Sequence, residues 1–220
     1  NLVKKDSRGN AIIPLKGSRN GAKGQDIDGG YGINTIKLIY KKGRRSTEIN
    51  TTYSIVDTRM KVNLPKALEA NGGIVGIKID FSFTSPDYGS DRMGVLETKN
   101  GRIFTLAQWY PRMSVYDDVS GWNTLPYLGA GEFYLEYGTF DVNITAPANH
   151  IVVCSGALLN PSEVYTAEQQ NRLKKAKTSD ATVMIRTEAE VTDPNSRPTS
   201  TSTLTWKFTI QKNYQIKPYY

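Results

Sequence analysis

A chain of 220 residues with 38% hydrophobic content and 13 Tyr can bury a sizeable core, which excludes global disorder. No apolar run approaches the roughly 20 residues that cross a bilayer as a helix, so no membrane span is expected. The net charge of +7 raises nucleic acid as a partner, but the cations gather in two places, without a basic–aromatic stripe. KKGRR (Lys41 to Arg45) falls at an expected hairpin turn and RLKKAK (Arg172 to Lys177) on an expected helix. Solvated turns and helix faces account for both, so nucleic acid is not expected. The chain opens at Asn1 rather than Met, as expected of a processed form or a piece of a longer protein.

Residues 1–34 are Gly- and Lys-rich and read as a flexible segment, with only AIIPL (Ala11 to Leu15) strand-like. The glycines between Gly21 and Gly32 lack the following helix that a phosphate-cradling loop needs. From Thr35 the character changes, and 35–210 reads as a single β domain, followed by a tail over 211–220. Thr35 to Leu64 alternates as strands around a hairpin at Lys42-Gly43, with Val62 and Leu64 alternating until Pro65 ends the last strand. Asn71-Gly72-Gly73 signals a turn. Val75, Ile77, Ile79, Phe81 and Phe83 then share one face at period two, as in a half-buried strand. Glu97 to Tyr110 reads as a hairpin whose Asn100-Gly101 predicts a primed turn. Two strands are expected from Thr139 to Leu159, joined at Ala146 to Asn149.

One helix is expected, at about 166–177. Thr166 and Gln169 have capping-box spacing, and the last turn is lysine-rich. Asp180 to Val191 reads as a strand, Val191 to Thr203 as a turn-rich surface loop, and Thr203 to Ile210 as the last strand. The fold class is therefore all-β, a sandwich- or saddle-like antiparallel domain with one short helix.

The stretch Ile103 to Tyr137 concentrates rings and polar groups as a packed corner or a site wall would. Trp122, Tyr127, Phe133 and Tyr134 are expected to pack the corner. Adjacent Asp117 and Asp118 point to opposite faces of a strand, so a turn and an ion pair to Arg112 account for them better than a metal or a shared proton. Glu132 and Glu136 would share a strand face, and acid–base work by either needs a cleft. Gln108 is the more promising group: a neutral amide can accept from an ammonium and donate elsewhere, with Trp109 and Tyr110 as an apolar wall. Single Cys154, in the apolar run IVVC, reads as a core thiol and rules out an intrachain disulfide. His150, the one histidine, reads as a turn residue and cannot supply the ligand set of a catalytic zinc. The sequons at Asn50 and Asn143 are too common by chance to carry weight.

AQWYPRMSVYDDVSGWNTLPYLGAGEFYLEYGTFDVNITAPANHIVVCSGALLNP (Ala107 to Pro161) resembles the N-terminal domain of the aminopeptidase N family of zinc metallopeptidases, in its bacterial branch. The likeness extends through TRMKVNLPKAL, RMGVLE, SDATVMIR and LTWKF. It implies an all-β domain that caps a separate catalytic domain carrying HExxH and the zinc, neither of which is encoded here. The chain by itself is then expected to be inactive and to hold no cofactor. Its partners would be its own catalytic domain and a peptide N-terminus, and a cell-envelope or periplasmic location is suggested by the likeness alone. It also implies that Gln108, four residues before Arg112, binds the free α-amino group of a peptide, with Ala107 and Trp109 beside it at the cleft edge. Arg112, Asp117, Asp118, Trp122 and Tyr127 would support that site. The alternative is a stand-alone β-sandwich module that binds a protein or glycan, with a hydrolase built on Glu132 and Asp118 a distant third.

Overall fold

The computed structural model describes residues 30–85, 93–125, 134–197 and 202–211. The chain divides into two compact units, Asn1–Leu135 and Glu136–Tyr220, each taken here by itself. Antiparallel pairing is used throughout the described strands, and the helices are short, so the fold is all-β in class.

In the N-terminal unit, β1 (Gly32–Lys42) is followed by β2 (Arg45–Asn50), the hairpin β3 (Tyr53–Val56) and β4 (Arg59–Val62), and β5 (Gly76–Ser82). A three-stranded sheet forms in the order β2-β1-β5. Its tight turn is Gly43-Arg44, since Lys42 pairs with Arg45, and Gly43 takes the positive φ of 59°. Apolar side chains meet across the ladder: Ile36 opposite Ile79, and Leu38 between Ile49 and Ile77. Leu38 is fully buried and Ile36 nearly so, which makes this face the core of the sheet. Expected alternation holds on β5, where Ile77, Ile79 and Phe81 are half-buried and Lys78 and Asp80 exposed. Hairpin β6 (Met93–Thr98) and β7 (Gly101–Leu106), then the two-residue pair β8 (Tyr116–Asp117) and β9 (Gly121–Trp122), are the other strands among the described residues of the unit.

In the C-terminal unit, β10 (Phe140–Pro147), β12 (Thr203–Ile210) and the short β11 (Ala157–Leu158) form a second sheet in the order β10-β12-β11. Val142 faces Phe208 and Ile144 faces Trp206 across the ladder. Trp206 and Phe208 form the core with Val164 and Tyr165, which belong to α1 (Pro161–Val164) and its cap. Helix α2 (Ala167–Ala176) starts at Thr166 with both arms of the capping box made, and α3 (Glu188–Val191) follows.

Several expectations are corrected. Asp180 to Val191 is not a strand: residues 180–187 have no ladder partner, and Thr187-Glu-Ala-Glu190 closes its own capping box to start α3. Residues 151–154 also lack a ladder: Val152 and Cys154 pack against the core without pairing, and the chain enters the sheet only at Ala157–Leu158. The hairpin at 98–101 turns through Lys99-Asn100, and Gly101 alone has positive φ (113°), so no primed turn forms. The Thr98 hydroxyl braces it, accepting from the Asn100 N–H at 3.2 Å and donating to the Gly101 carbonyl at 2.7 Å. Glu136 lies in irregular backbone rather than on a strand. The loop after Val191 contains a 3-10 turn, Pro194–Ser196, with Ser196 buried. The AIIPL strand, Tyr127, Glu132 and Phe133 lie outside the described residues.

Candidate functional site

Strand β7 ends at Leu106, and the next described element begins only at Tyr116, so Ala107 to Val115 follow no ladder. Trp109 fixes this segment from one side by stacking on Phe81 of β5, with ring centroids 6.5 Å apart. Phe81 continues into Tyr31 (5.1 Å) and Phe83 (6.4 Å), and Trp109 meets Tyr110 edge-on at 5.3 Å. The Arg112 guanidinium lies over the Tyr110 ring, 5.8 Å from its centroid. A continuous row of rings therefore runs from the end of β5 to Arg112.

Between the end of β7 and the anchored Trp109 ring, one residue absorbs the change of direction. Gln108 has φ of 55°, the left-handed region, where a side chain with a Cβ costs about 1–2 kcal/mol. Gln is neither Gly nor Asn, the residues that visit this region cheaply, so the neighbouring contacts hold it there. Its side chain is exposed, while Ala107 and Trp109 on either side are half-buried. The Gln108 amide has no hydrogen-bond partner among the described residues. An amide so placed offers one acceptor and two donors to a ligand, beside an aromatic wall.

Asp117 is committed to its own turn. Its carboxylate accepts from the N–H groups of Val119 (3.0 Å) and Ser120 (2.6 Å) and from the Asn123 amide (2.7 Å). Those bonds, the Ser120 N–H first, hold its pKa below the ordinary carboxylate value. Asp118 is exposed on the same turn. The ring of Trp122 meets Tyr116 edge-on at 5.2 Å, yet Trp122 is 53% exposed and Tyr134 59%. Neither is buried, contrary to expectation: Trp122 stands on a two-residue pair with too little surface to cover a large ring, and Tyr134 lies in backbone that joins no ladder.

In the C-terminal unit, Cys154 is half-buried, and burial pushes its thiol up, away from a reactive thiolate. His150 sits in the turn after β10, its N–H bonded to the Pro147 carbonyl and its Nδ1 2.9 Å from the Asn149 amide oxygen. Sequence reasoning missed the polar cluster that organises this unit. Arg172 bonds Glu190 at 2.6 Å and also pairs with Glu168. Arg186 donates to the carbonyls of Asn149 (2.6 Å), Glu190 and Val191, and Gln169, almost fully buried, donates to the Ser196 carbonyl at 3.0 Å. Buried Asn160 donates to the Thr205 carbonyl and accepts from the Lys207 N–H, pinning the start of α1 to β12. The signal available was a second capping-box spacing, T-x-x-E at Thr187 and Glu190.

No group of three or more His, Cys, Asp or Glu among the described residues is placed to hold a metal. No helix among them is long and apolar enough to cross a membrane. No protein-family model, curated protein or solved structure matches the chain.

Proposed function

We propose that the chain is a non-catalytic β module of a zinc aminopeptidase-like metallopeptidase, and that Gln108 anchors the free α-ammonium group of a peptide. The observation that carries the reading is Gln108 itself: a non-glycine residue in left-handed backbone, exposed, flanked by an anchored Trp, and without a partner of its own among the described residues. Backbone strain of this kind recurs where a side chain must be aimed. Ligand ammonium would donate to the amide oxygen, while Trp109 and Tyr110 border the first side chain of the peptide. Hydrolysis itself belongs, in this reading, to zinc held by a separate domain; this chain binds and orients.

The experiment is a titration of the chain, labelled with 15N in its glutamine side chains, with a short peptide and with its N-acetylated twin. The Gln108 amide signals are expected to shift with the free amine alone. Equal shifts with both peptides, or none, contradict the reading. The exposed Tyr116–Trp122 pair favours a second reading, a stand-alone module for a protein or glycan. The reading frame past Tyr220 separates the two: an in-frame HExxH supports the first, a stop codon the second.

A further inference from the structure

The β1–β2 hairpin carries a second group of uncommitted side chains. Beyond the rung that pairs Ile39 with Gly76, β1 has no partner except β2, so residues 40–47 form a two-stranded ribbon extending past β5. At its tip stand Lys41, Lys42, Arg44 and Arg45, all exposed and none in an ion pair among the described residues. Lys42 and Arg45 are directly opposite each other, an unfavourable placing for like charges. Alternation puts Lys42 and Arg45 on one ribbon face and Lys41 on the other, with Arg44 in the turn. The charge thus surrounds the end of the finger rather than lining one side. Glu48, the acid of β2, is already shared by Lys37 and Lys78 farther back.

The other basic run is occupied. Arg172 is held by Glu168 and Glu190, and Lys174 and Lys175 stand in the last turn of α2, where they complement the negative end of the helix dipole. The cations of the hairpin tip have no such structural task.

We propose that this tip docks end-on against an anionic phospholipid surface. Cations splayed around a point match a plane of phosphates. A nucleic-acid strand instead favours cations tracking a groove, with rings on which bases stack. The ribbon's one aromatic residue, Tyr40, has its hydroxyl buried. Residues 41–46 include no apolar side chain, so attachment is by charge alone and is screened by salt.

The test sediments the whole chain with vesicles of phosphatidylcholine, with or without phosphatidylglycerol. A tip variant, Lys42→Gln/Arg44→Gln/Arg45→Gln, is compared with a helix variant, Lys174→Gln/Lys175→Gln/Lys177→Gln, that removes the same charge elsewhere. The chain should bind only the phosphatidylglycerol vesicles, less as salt rises. Binding should fall about a hundredfold in the tip variant and change little in the helix variant. Equal losses in both variants would reduce the effect to net charge and overturn the proposal. So would an absence of binding to anionic vesicles, or tip-dependent capture of a duplex oligonucleotide in their place. Relieving the Lys42–Arg45 repulsion leaves the tip variant folded, which an unchanged circular dichroism spectrum verifies.

Discussion

The polar cluster of the C-terminal unit contrasts with two places in the N-terminal unit. Around the C-terminal core, Gln169, Asn160, Arg172, Arg186 and Glu190 close on one another and on buried carbonyls. In the N-terminal unit, Asp117 and Glu48 are committed too, but Gln108 stands exposed in left-handed backbone, and the four cations of the β1–β2 tip are exposed, Lys42 facing Arg45, without an ion-pair partner among the described residues. Groups that satisfy each other build a scaffold, since leaving one unpaired costs the full desolvation of its partner. Groups kept unpaired at a local cost are where a ligand has most to offer. On the proposed reading, groups of the first kind give rigidity and those of the second kind recognition.

Substitutions can break that contrast, beginning with the scaffold. Trp206→Ala empties the fully buried centre of the C-terminal core and should cost about 3–5 kcal/mol in urea unfolding. A loss under 1 kcal/mol, by the same principle, would mean this core is not what holds the unit. Gln169→Leu removes one arm of the capping box and orphans the Ser196 carbonyl, with an expected loss of about 2 kcal/mol. A neutral result would show that the cluster is ornamental.

Glu190 sharpens the contrast through pH. Its carboxylate accepts from Arg172 first, then from the Thr187 N–H and hydroxyl, which lowers its pKa from 4.5 to about 2. A depressed acid stabilises the fold fully above its unfolded value, so that contribution should fade as pH drops from about 4.5 to about 2. Glu190→Gln should flatten unfolding midpoints across that window; an unchanged slope would refute the assignment. The smallest effect is expected at the recognition side. Gln108→Gly relieves the left-handed strain and should stabilise the N-terminal unit by about 1 kcal/mol, because Gly has no Cβ to clash there. Destabilisation instead would mean the side chain is structural.

What could be read from the sequence was what depended on neighbours in the chain. Thr166 and Gln169 announced a helix start, and the alternation from Val75 to Phe83 announced a half-buried strand, since both patterns complete themselves locally. Thr187 and Glu190 carried the same spacing 21 residues later, but the preceding Ala-Thr-Val-Met-Ile resembles a strand and masked it. IVVC failed for a different reason: Val152 and Cys154 pack against the core without a ladder, and an apolar run alone does not tell packing from pairing. At Lys99-Asn100-Gly101 the glycine was correctly taken to need a positive φ, but its placement after the turn is a property of the register. Nothing in the residue type of Gln108 foretells left-handed backbone. That conformation sits beside the docking of Trp109 on Phe81, a contact between residues 28 apart in the chain that no local pattern announces.

The central claim, that Gln108 holds the amino terminus of a peptide, is tested most directly by Gln108→Ala in a protein that joins this chain to the separate zinc domain the proposal calls for. Loss of one hydrogen bond to a charged group should lower kcat/KM on free-amine substrates by about 10- to 150-fold, equivalent to about 1.5–3 kcal/mol, with zinc content unchanged. Gln108→Glu, which keeps an acceptor facing the ammonium, should retain most of the activity. An unaltered kcat/KM in Gln108→Ala would contradict the account.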